Sequence, residues 1–233
     1  MAIQNFDQLN NMSTTWYSKM EISDKAKKER VDLSMEFLEI FLMYFALLMD
    51  EELTKERQIE WLEPRLNAVA SNHIGVDDLA YINDWSKTEA EKIVDVSMKH
   101  IEPIDIDEST VSFDGVEQDR IYHFKEFDVD VPESKYWTSD IRGLLLGIEC
   151  SSCVSNFYEM YDHLNRGDNR KVWKSQADNK VRPTHEEVDG VDIPITDLFI
   201  VGNSRLLFPG DVSNGAEEKE IDGCRCWCEY YKK

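Results

Sequence analysis

The sequence lacks several catalytic and targeting signatures. It contains no G-x-S-x-G, H-E-x-x-H, Walker or dinucleotide-binding motif, so nothing in it anchors an enzymatic function. Its first residues, MAIQNFDQLNN, have neither the charged start nor the apolar core of a signal peptide. We therefore expect a cytosolic product that is not an enzyme.

Basic residues are scarce. There are 26 Lys and Arg against 47 Asp and Glu, which gives a formal net charge of −21. An average surface of that sign repels phosphate and anionic membranes, so non-specific DNA binding is disfavoured and no membrane partner is expected. A local basic patch could still touch DNA; it comprises Arg166, Arg170, Lys171 and Lys174. A basic protein is the more favourable partner for the acidic surface.

No apolar run is long enough to cross a bilayer, which needs about 20 residues. The most apolar segment, 37–49, lies in a stretch that starts at Asp24 and has strong helix formers without Gly or Pro. This pattern predicts a long helix that is buried on several sides. The competing interpretation is that part of its surface packs against another protein chain.

Helical patterns also cover the remainder of the N-terminal half. Further helices are predicted over residues 6–20, 60–70 and 77–100, with Pro64 marking an end or a kink. Their apolar faces could close a bundle with the long helix. We assign residues 1–101 to a helical docking region.

The sequence changes character after Pro103. Residues 102–135 are strongly acidic, and the runs IDID and FDVDV alternate apolar with polar side chains. Alternation of period two predicts strands with one solvated face, which also explains the paired aspartates better than cation binding does. We interpret this segment as an acidic, strand-like linker or insertion.

The last segment, residues 136–233, predicts a small mixed domain. A helix over 136–166 can be capped by Ser139 or Asp140. Strands are predicted at 191–195, as a pair within 199–208, and in the final CRCWCEYY run. The chain is therefore predicted to be α+β, with a helical N-terminal half and a C-terminal domain of helix and antiparallel strands.

The cysteines fall into two groups. Cys150 and Cys153 lie three apart on the predicted helix, whereas the other three alternate, so each group could present its thiols on one side. Two thiols from each group could bind zinc, namely Cys150, Cys153, Cys224 and Cys226, and His185 could replace one of them. The spacing is not that of a zinc ribbon, and cysteine also packs as a small apolar residue. We therefore predict no cofactor, with zinc as the alternative.

A polar group lies just before the last strands. Asp178, Arg182 and His185 have helical spacing, so the carboxylate could hold the guanidinium with the imidazole alongside. One interpretation is a hydrogen-bonded network that holds the domain together. The other is a metal- or cysteine-dependent hydrolase that uses His185 with the cysteine cluster.

The region around this polar group has a distinctive order of residues. It contains Trp173, Ser175, Asp178, Val181-Arg182, Thr184-His185, Gly190, Ile193-Pro194, Phe199, Pro209-Gly210-Asp211 and Cys224-Arg225-Cys226, preceded by Ile148-Glu149, Asn156 and Gly167. Over about residues 140–226 this order resembles the C-terminal domain of the phage Mu F-type minor head proteins. One position departs, because that family usually has Asn where this chain has Gly223.

The resemblance implies a minor head protein, or minor capsid protein, of a tailed bacteriophage. Such a structural protein would associate with the portal protein, and with capsid or scaffold proteins, and act in head morphogenesis or DNA delivery. It would be made in the host cytoplasm and be located in the virion head near the portal vertex. Some relatives carry a toxin or enzyme domain after the Cys-Arg-Cys motif, whereas seven residues follow Cys226 here, so we expect no appended activity.

Overall fold

The computed structural model describes residues 6–50, 53–76, 79–100, 121–124, 127–176, 178 and 180–233. Over these ranges the chain forms an α+β fold with a helical N-terminal half and small antiparallel sheets in the C-terminal part, which confirms the predicted class. Most of the acidic segment, including the IDID run, lies outside the described residues.

The helical half contains the helices that the sequence predicts. They are α1 (Phe6–Ser18), α2 (Asp24–Asp50), α3 (Lys55–Ile74) and α4 (Ala80–His100). Thr54 caps α3 by accepting a hydrogen bond from the Arg57 amide. The helix does not end at Pro64, as one interpretation held, because Leu62 and Leu66 on either side of it are buried in the core. That burial offsets the hydrogen bond that proline cannot make.

Helix α2 lies at the centre of this half and packs against α1, α3 and the later helix α6 (Asp140–Asn165). Phe37, Phe41 and Tyr44 are fully buried, which confirms that the helix is covered on several sides. Met43 and Met49 remain exposed. Among the described helices, none is both long enough and apolar enough to cross a membrane.

Helix α6 joins the two halves of the chain. It begins at the predicted cap Ser139, whose hydroxyl accepts from the Arg142 amide. Gly147 lets it approach α2 closely, because a Cβ there would lie 2.5 Å from the Ser34 carbonyl oxygen. One core cluster contains buried residues of α2, α3, α4 and α6 together. The helical half and the C-terminal part thus share a core, and the boundaries drawn at 101 and 136 stay a prediction.

Short antiparallel sheets complete the fold. Their strands are β1 (Ile121–Phe124), β2 (Val129–Pro132), β3 (Arg170–Lys174), β4 (Asp192–Pro194), β5 (Phe199–Val201), β6 (Ser204–Leu206) and β7 (Trp227–Tyr231). They pair as β1-β2, β4-β3-β7 and β5-β6. The connecting short helices are α5 (Glu133–Tyr136), α7 (Pro183–Glu187) and α8 (Glu218–Ile221). The last strand begins after Cys226, so the first part of the predicted CRCWCEYY strand is a loop.

The predicted basic patch is neutralised within the fold. Arg166 pairs with Asp162, Arg170 with Asp192 and Lys174 with Glu229, while Lys171 is fully buried and donates to the Leu207 carbonyl. Burial lowers the pKa of Lys171 to about 8.

Candidate functional site

The C-terminal part brings one imidazole and two thiols together. The His185 Nδ1 lies 3.4 Å from the Cys226 Sγ and 3.6 Å from the Cys224 Sγ. All three side chains are buried, and their ligand atoms lie within 4.8 Å of one another. Within the described ranges, this is the one group of three or more His, Cys, Asp or Glu side chains with the spacing of a metal site.

The four-cysteine arrangement, which the sequence offered as an alternative, does not have the spacing of a metal site. Cys150 and Cys153 do lie on α6, but their sulfurs do not join those of Cys224 and Cys226 at ligand distance. Burial raises the pKa of both α6 thiols well above the usual value. Sequence spacing places thiols on a helix face, but it does not give their distance from a loop that follows much later in the chain.

A buried carboxylate lies on the other side of the imidazole. The His185 Nε2 lies 3.3 Å from the Glu220 Oε2, although the angle falls outside hydrogen-bond geometry. Glu220 is also buried and accepts a 2.7 Å hydrogen bond from the Thr184 hydroxyl. Trp173 packs edge-on against His185, with ring centroids 5.5 Å apart. His185 therefore lies between two thiols and a buried carboxylate.

The two thiols differ in acidity. A hydrogen bond from Cys226, together with the contact to His185, lowers the pKa of Cys224 well below the usual value. Donating that hydrogen bond, together with burial, raises the pKa of Cys226. Cys224 is thus the thiol whose negative charge the site stabilises best.

Asp178 pairs with Arg225, and not with Arg182 as helical spacing suggested. Two hydrogen bonds of 2.9 and 3.0 Å join the carboxylate to the Arg225 guanidinium. Arg182 instead donates to the Asp222 carbonyl. The helical interpretation was wrong because Pro183 starts α7 and holds Arg182 extended, at φ −66° and ψ 144°.

The loop before the first of these cysteines makes a left-handed turn. Gly223 has a φ of +60°, a conformation that glycine adopts freely and asparagine adopts more readily than most other residues. The resembled family usually has Asn at this position. The departure at Gly223 therefore exchanges one residue suited to the turn for another.

Asn156 on α6 connects this loop to α2. Its Oδ1 accepts from the Arg30 guanidinium at 2.8 Å. Its Nδ2 donates to the Pro209 carbonyl at 2.8 Å and to the Cys226 carbonyl at 3.3 Å. A single buried amide thus joins the helical core, the turn after β6 and the cysteine loop.

The turn after β6 packs against α6. A Cβ added at Gly210 would lie 3.6 Å from the Cys153 Cα of α6. The φ of +84° at Gly210 favours glycine. Asp211 is fully buried and accepts hydrogen bonds from the Leu207 amide at 2.7 Å and the Tyr81 hydroxyl at 3.1 Å. The residues at 209–211 therefore form a turn, and Asp211 anchors that turn to the core.

Two further motif positions also support the fold. The Gly190 amide donates to the Trp173 carbonyl at 2.9 Å, which returns the chain to β3 after α7. Trp173 is fully buried. Both residues help to place α7, the helix that carries His185.

Glu149 belongs to a second charged cluster. Lys92 of α4 donates to Glu149, and its Nζ lies 3.0 Å from an Asp222 carboxylate oxygen and 3.5 Å from a Glu89 one. Burial raises the pKa of Glu149 to about 8, with Lys92 acting in the opposite direction. The single ammonium group of Lys92 thus contacts three carboxylates. Because its pKa is raised, Glu149 binds a proton more readily than an ordinary glutamate.

Sequence reasoning missed the residues that complete both clusters. Glu220 lies in an acidic run, and the sequence pattern singled out neither it nor Lys92 and Glu89. Lys92 and Glu220 each have a partner more than thirty positions away, since Glu149 is 57 positions from Lys92 and Thr184 is 36 positions from Glu220. Spacing along one element gives no signal for such pairs.

Burial limits what the site can do chemically. His185 is 1% exposed, and Cys224 and Cys226 are 6% and 4% exposed, so a bulky substrate has no access to them. The donor set suits a small soft cation, or serves as packing. Comparisons with protein-family profiles, with characterised proteins and with solved structures found no match to this chain.

Proposed function

We propose that this protein is a minor head protein of a tailed bacteriophage. It associates with the portal protein in the host cytoplasm and lies near the portal vertex of the head, where it acts in head morphogenesis or DNA delivery. The observation that carries the proposal is the convergence of the positions that resemble the Mu F-type domain. Several of them meet in buried contacts around Trp173 and His185, whereas Glu149 lies in the separate cluster with Lys92.

Each of these contacts has a structural role. Asp178 accepts hydrogen bonds from Arg225, and Asn156 donates to the Cys226 carbonyl. The Gly190 amide donates to the Trp173 carbonyl. These residues follow the order of the resembled family and act mainly through buried packing and hydrogen bonds. A structural domain requires residues of this kind. A catalytic site would instead keep polar groups open towards a substrate.

Charge supports a protein partner over a nucleic acid. The net charge is −21, and the four cations of the predicted basic patch are paired or buried. An acidic surface steers towards basic protein surfaces and away from packaged DNA. A basic face of the portal protein, or of a capsid or scaffold protein, is the corresponding partner.

One observation favours the alternative, a metal- or cysteine-dependent hydrolase. His185 contacts Cys224, and a histidine beside an acidified thiol is the arrangement that activates a cysteine nucleophile. The burial of both side chains counts against this function, because a nucleophile must reach its substrate. We therefore place the hydrolase second.

The test is native mass spectrometry of the full chain, mixed with the portal protein encoded in the same genome. We expect a complex at micromolar concentrations. Met43→Glu, on the exposed side of α2, should weaken it if the helical half docks, whereas Ile200→Glu on β5 is the control at a similarly exposed apolar position. The absence of any complex, combined with hydrolytic activity that His185→Asn abolishes in a folded protein, would overturn the proposal in favour of the hydrolase.

A further inference from the structure

We propose that His185, Cys224 and Cys226 form a zinc site, in which Glu220 orients the histidine. The site is independent of the phage-head proposal, since a metal that holds the C-terminal part together suits any function of the chain. It also differs from the four-cysteine site considered from the sequence, because α6 supplies no ligand.

The distances fit tetrahedral coordination. Zinc lies about 2.3 Å from a thiolate sulfur and about 2.0 Å from an imidazole nitrogen, so two such ligands at the tetrahedral angle are about 3.5 Å apart. The His185 Nδ1 lies 3.4 Å from the Cys226 Sγ and 3.6 Å from the Cys224 Sγ. Both nitrogen–sulfur distances thus match those around a shared zinc ion, and the two sulfurs lie within 4.8 Å of each other.

The donors also have the right chemistry. Two thiols and one imidazole are borderline-soft ligands that select zinc over magnesium or calcium. Binding would release the proton of each thiol to solvent, because the metal takes the thiolate form. The two buried thiolates that result are negatively charged, and a divalent cation neutralises them.

Glu220 supplies the outer contact that zinc-bound histidines usually have. Its carboxylate lies 3.3 Å from the His185 Nε2, on the side of the ring away from the thiols. The carboxylate is itself held by the Thr184 hydroxyl. A carboxylate at this distance electrostatically favours a proton on Nε2, which leaves Nδ1 free to bind metal. Glu220 is a positioning residue in this site.

Residues outside the ligand group hold the cysteine loop in place. Arg225, between the two ligands, is held by Asp178, and Arg182 donates to the Asp222 carbonyl. Asn156 donates to the Cys226 carbonyl on the side of α6. A loop fixed in this way presents both sulfurs at low entropic cost, which favours metal binding.

A small polar pocket lies beside His185 and Cys226 and offers space for the fourth ligand. It is lined by Gln176, Lys180, Val181, Arg182, His185, Gly223, Arg225 and Cys226. Among the described side chains, the Gln176 amide is buried there with neither its nitrogen nor its oxygen hydrogen-bonded. A zinc-bound water can satisfy that amide and complete the tetrahedron.

The first measurement is the metal content of the full chain, purified under reducing conditions without chelator. We expect about one zinc per chain. Cys224→Ser and Cys226→Ser should each lose it. Cys228→Ser is the matched control, because Cys228 is equally buried on β7 and lies outside the ligand group. Glu220→Gln should weaken zinc affinity by about 10- to 100-fold and leave the stoichiometry at saturation unchanged.

A second measurement needs no variant and so does not depend on variants that fold. The wild-type chain is stripped with a chelator and titrated with Co²⁺, whose visible spectrum reports tetrahedral geometry and thiolate ligation. The expected result is a saturable thiolate-to-cobalt band that Zn²⁺ displaces. A wild-type chain that binds neither ion, or a Cys224→Ser, Cys226→Ser double variant that binds both as tightly as wild type, would overturn the proposal.

Discussion

The Asp178 carboxylate and the Arg225 guanidinium form a two-point pair across 47 positions of the chain. The pair is largely shielded from solvent, with the side chains 24% and 12% exposed. Burial acts to raise the pKa of Asp178, but the hydrogen bonds from Arg225 outweigh it and lower the pKa. The pair fixes the loop between Cys224 and Cys226 onto the segment before α7.

Removing this pair should destabilise the C-terminal part. Asp178→Asn keeps the size of the side chain but loses the charge, and we expect the free energy of unfolding to fall by about 1–3 kcal/mol. Because the pKa of Asp178 is lowered on folding, its contribution is present above the unfolded pKa and is lost as the pH falls through the folded one. Urea denaturation of both proteins at neutral and acidic pH measures the difference.

The control for this prediction is a solvent-exposed pair on the neighbouring strands. Lys174 lies 3.2 Å from Glu229, and their side chains are 33% and 59% exposed. Glu229→Gln should change stability by less than about 1 kcal/mol, since exposed ion pairs contribute little. Equal effects of Asp178→Asn and Glu229→Gln would show that the Asp178 pair has no special role.

Asn156 gives a second prediction. Asn156→Ala removes three hydrogen bonds at once, so that two carbonyls lose this donor and the Arg30 guanidinium keeps only its contact with Glu159. We expect a loss of about 2–4 kcal/mol in the free energy of unfolding, because buried polar groups are costly to leave unpaired. Thermal and urea denaturation of the variant would measure the loss.

The neighbouring residue provides a matched control on the same helix. Among the described residues, Ser155 has a buried hydroxyl with no hydrogen-bond partner. Ser155→Ala should therefore leave stability within about 0.5 kcal/mol of wild type or raise it slightly. If Asn156→Ala proved as mild as Ser155→Ala, α6 would not be connected to the cysteine loop in the way that the distances indicate.

The contact between α2 and α6 gives a third prediction. In Gly147→Ala the new Cβ would lie 2.5 Å from the Ser34 carbonyl oxygen, which is backbone and cannot rotate away. Gly143→Ala meets the Leu38 side chain at 3.0 Å, which can shift. We expect Gly147→Ala to destabilise the protein by about 2–4 kcal/mol. Gly143→Ala should stay within about 1 kcal/mol, because alanine favours a helix.

Denaturation of these two variants measures the approach of the helices directly. The comparison cancels helix propensity, since both positions lie inside α6. A smaller effect at Gly147 than at Gly143 would contradict the close α2–α6 packing. Near-ultraviolet circular dichroism of each variant would confirm that the native packing is otherwise retained.

Local patterns predicted the elements of the fold well. The helix from Asp24, the cap at Ser139 and the strand pair within 199–208 were all readable, because each depends on residues close together in sequence. Propensity, capping and period-two alternation are local properties. The α+β class followed from their order along the chain.

Tertiary pairing was not readable in the same way. Helical spacing predicted that Asp178 pairs with Arg182. In the structure the helix begins only at Pro183, after Arg182, and the Asp178 carboxylate pairs with Arg225. The spacing allowed one site to join both cysteine groups, whereas Cys150 belongs to the helical core cluster and the loop thiols belong to another cluster. Such outcomes depend on which segments meet, and a single sequence does not encode that in any short window.

The cluster around Glu149 gives the last prediction, which concerns pH. The pKa of Glu149 is raised from 4.5 to about 8, first by burial and then by Glu89 and Asp222, while Lys92 opposes the shift. A carboxyl group with a raised folded-state pKa binds its proton more tightly in the folded protein. Its contribution to stability is therefore greatest below about pH 4.5 and is lost as the pH rises towards about 8.

Glu149→Gln mimics the protonated acid and should remove this dependence. Relative to wild type, we expect the variant to gain stability as the pH rises from about 5 to about 8.5, by about 2 kcal/mol, because the wild-type side chain is 19% exposed and partly screened by water. Glu60→Gln, at an exposed position on α3, should show no such trend. Urea denaturation at several pH values measures both. A variant that loses stability with rising pH would mean that Lys92 keeps Glu149 ionised, so that the ion pair, and not the bound proton, stabilises this part of α6.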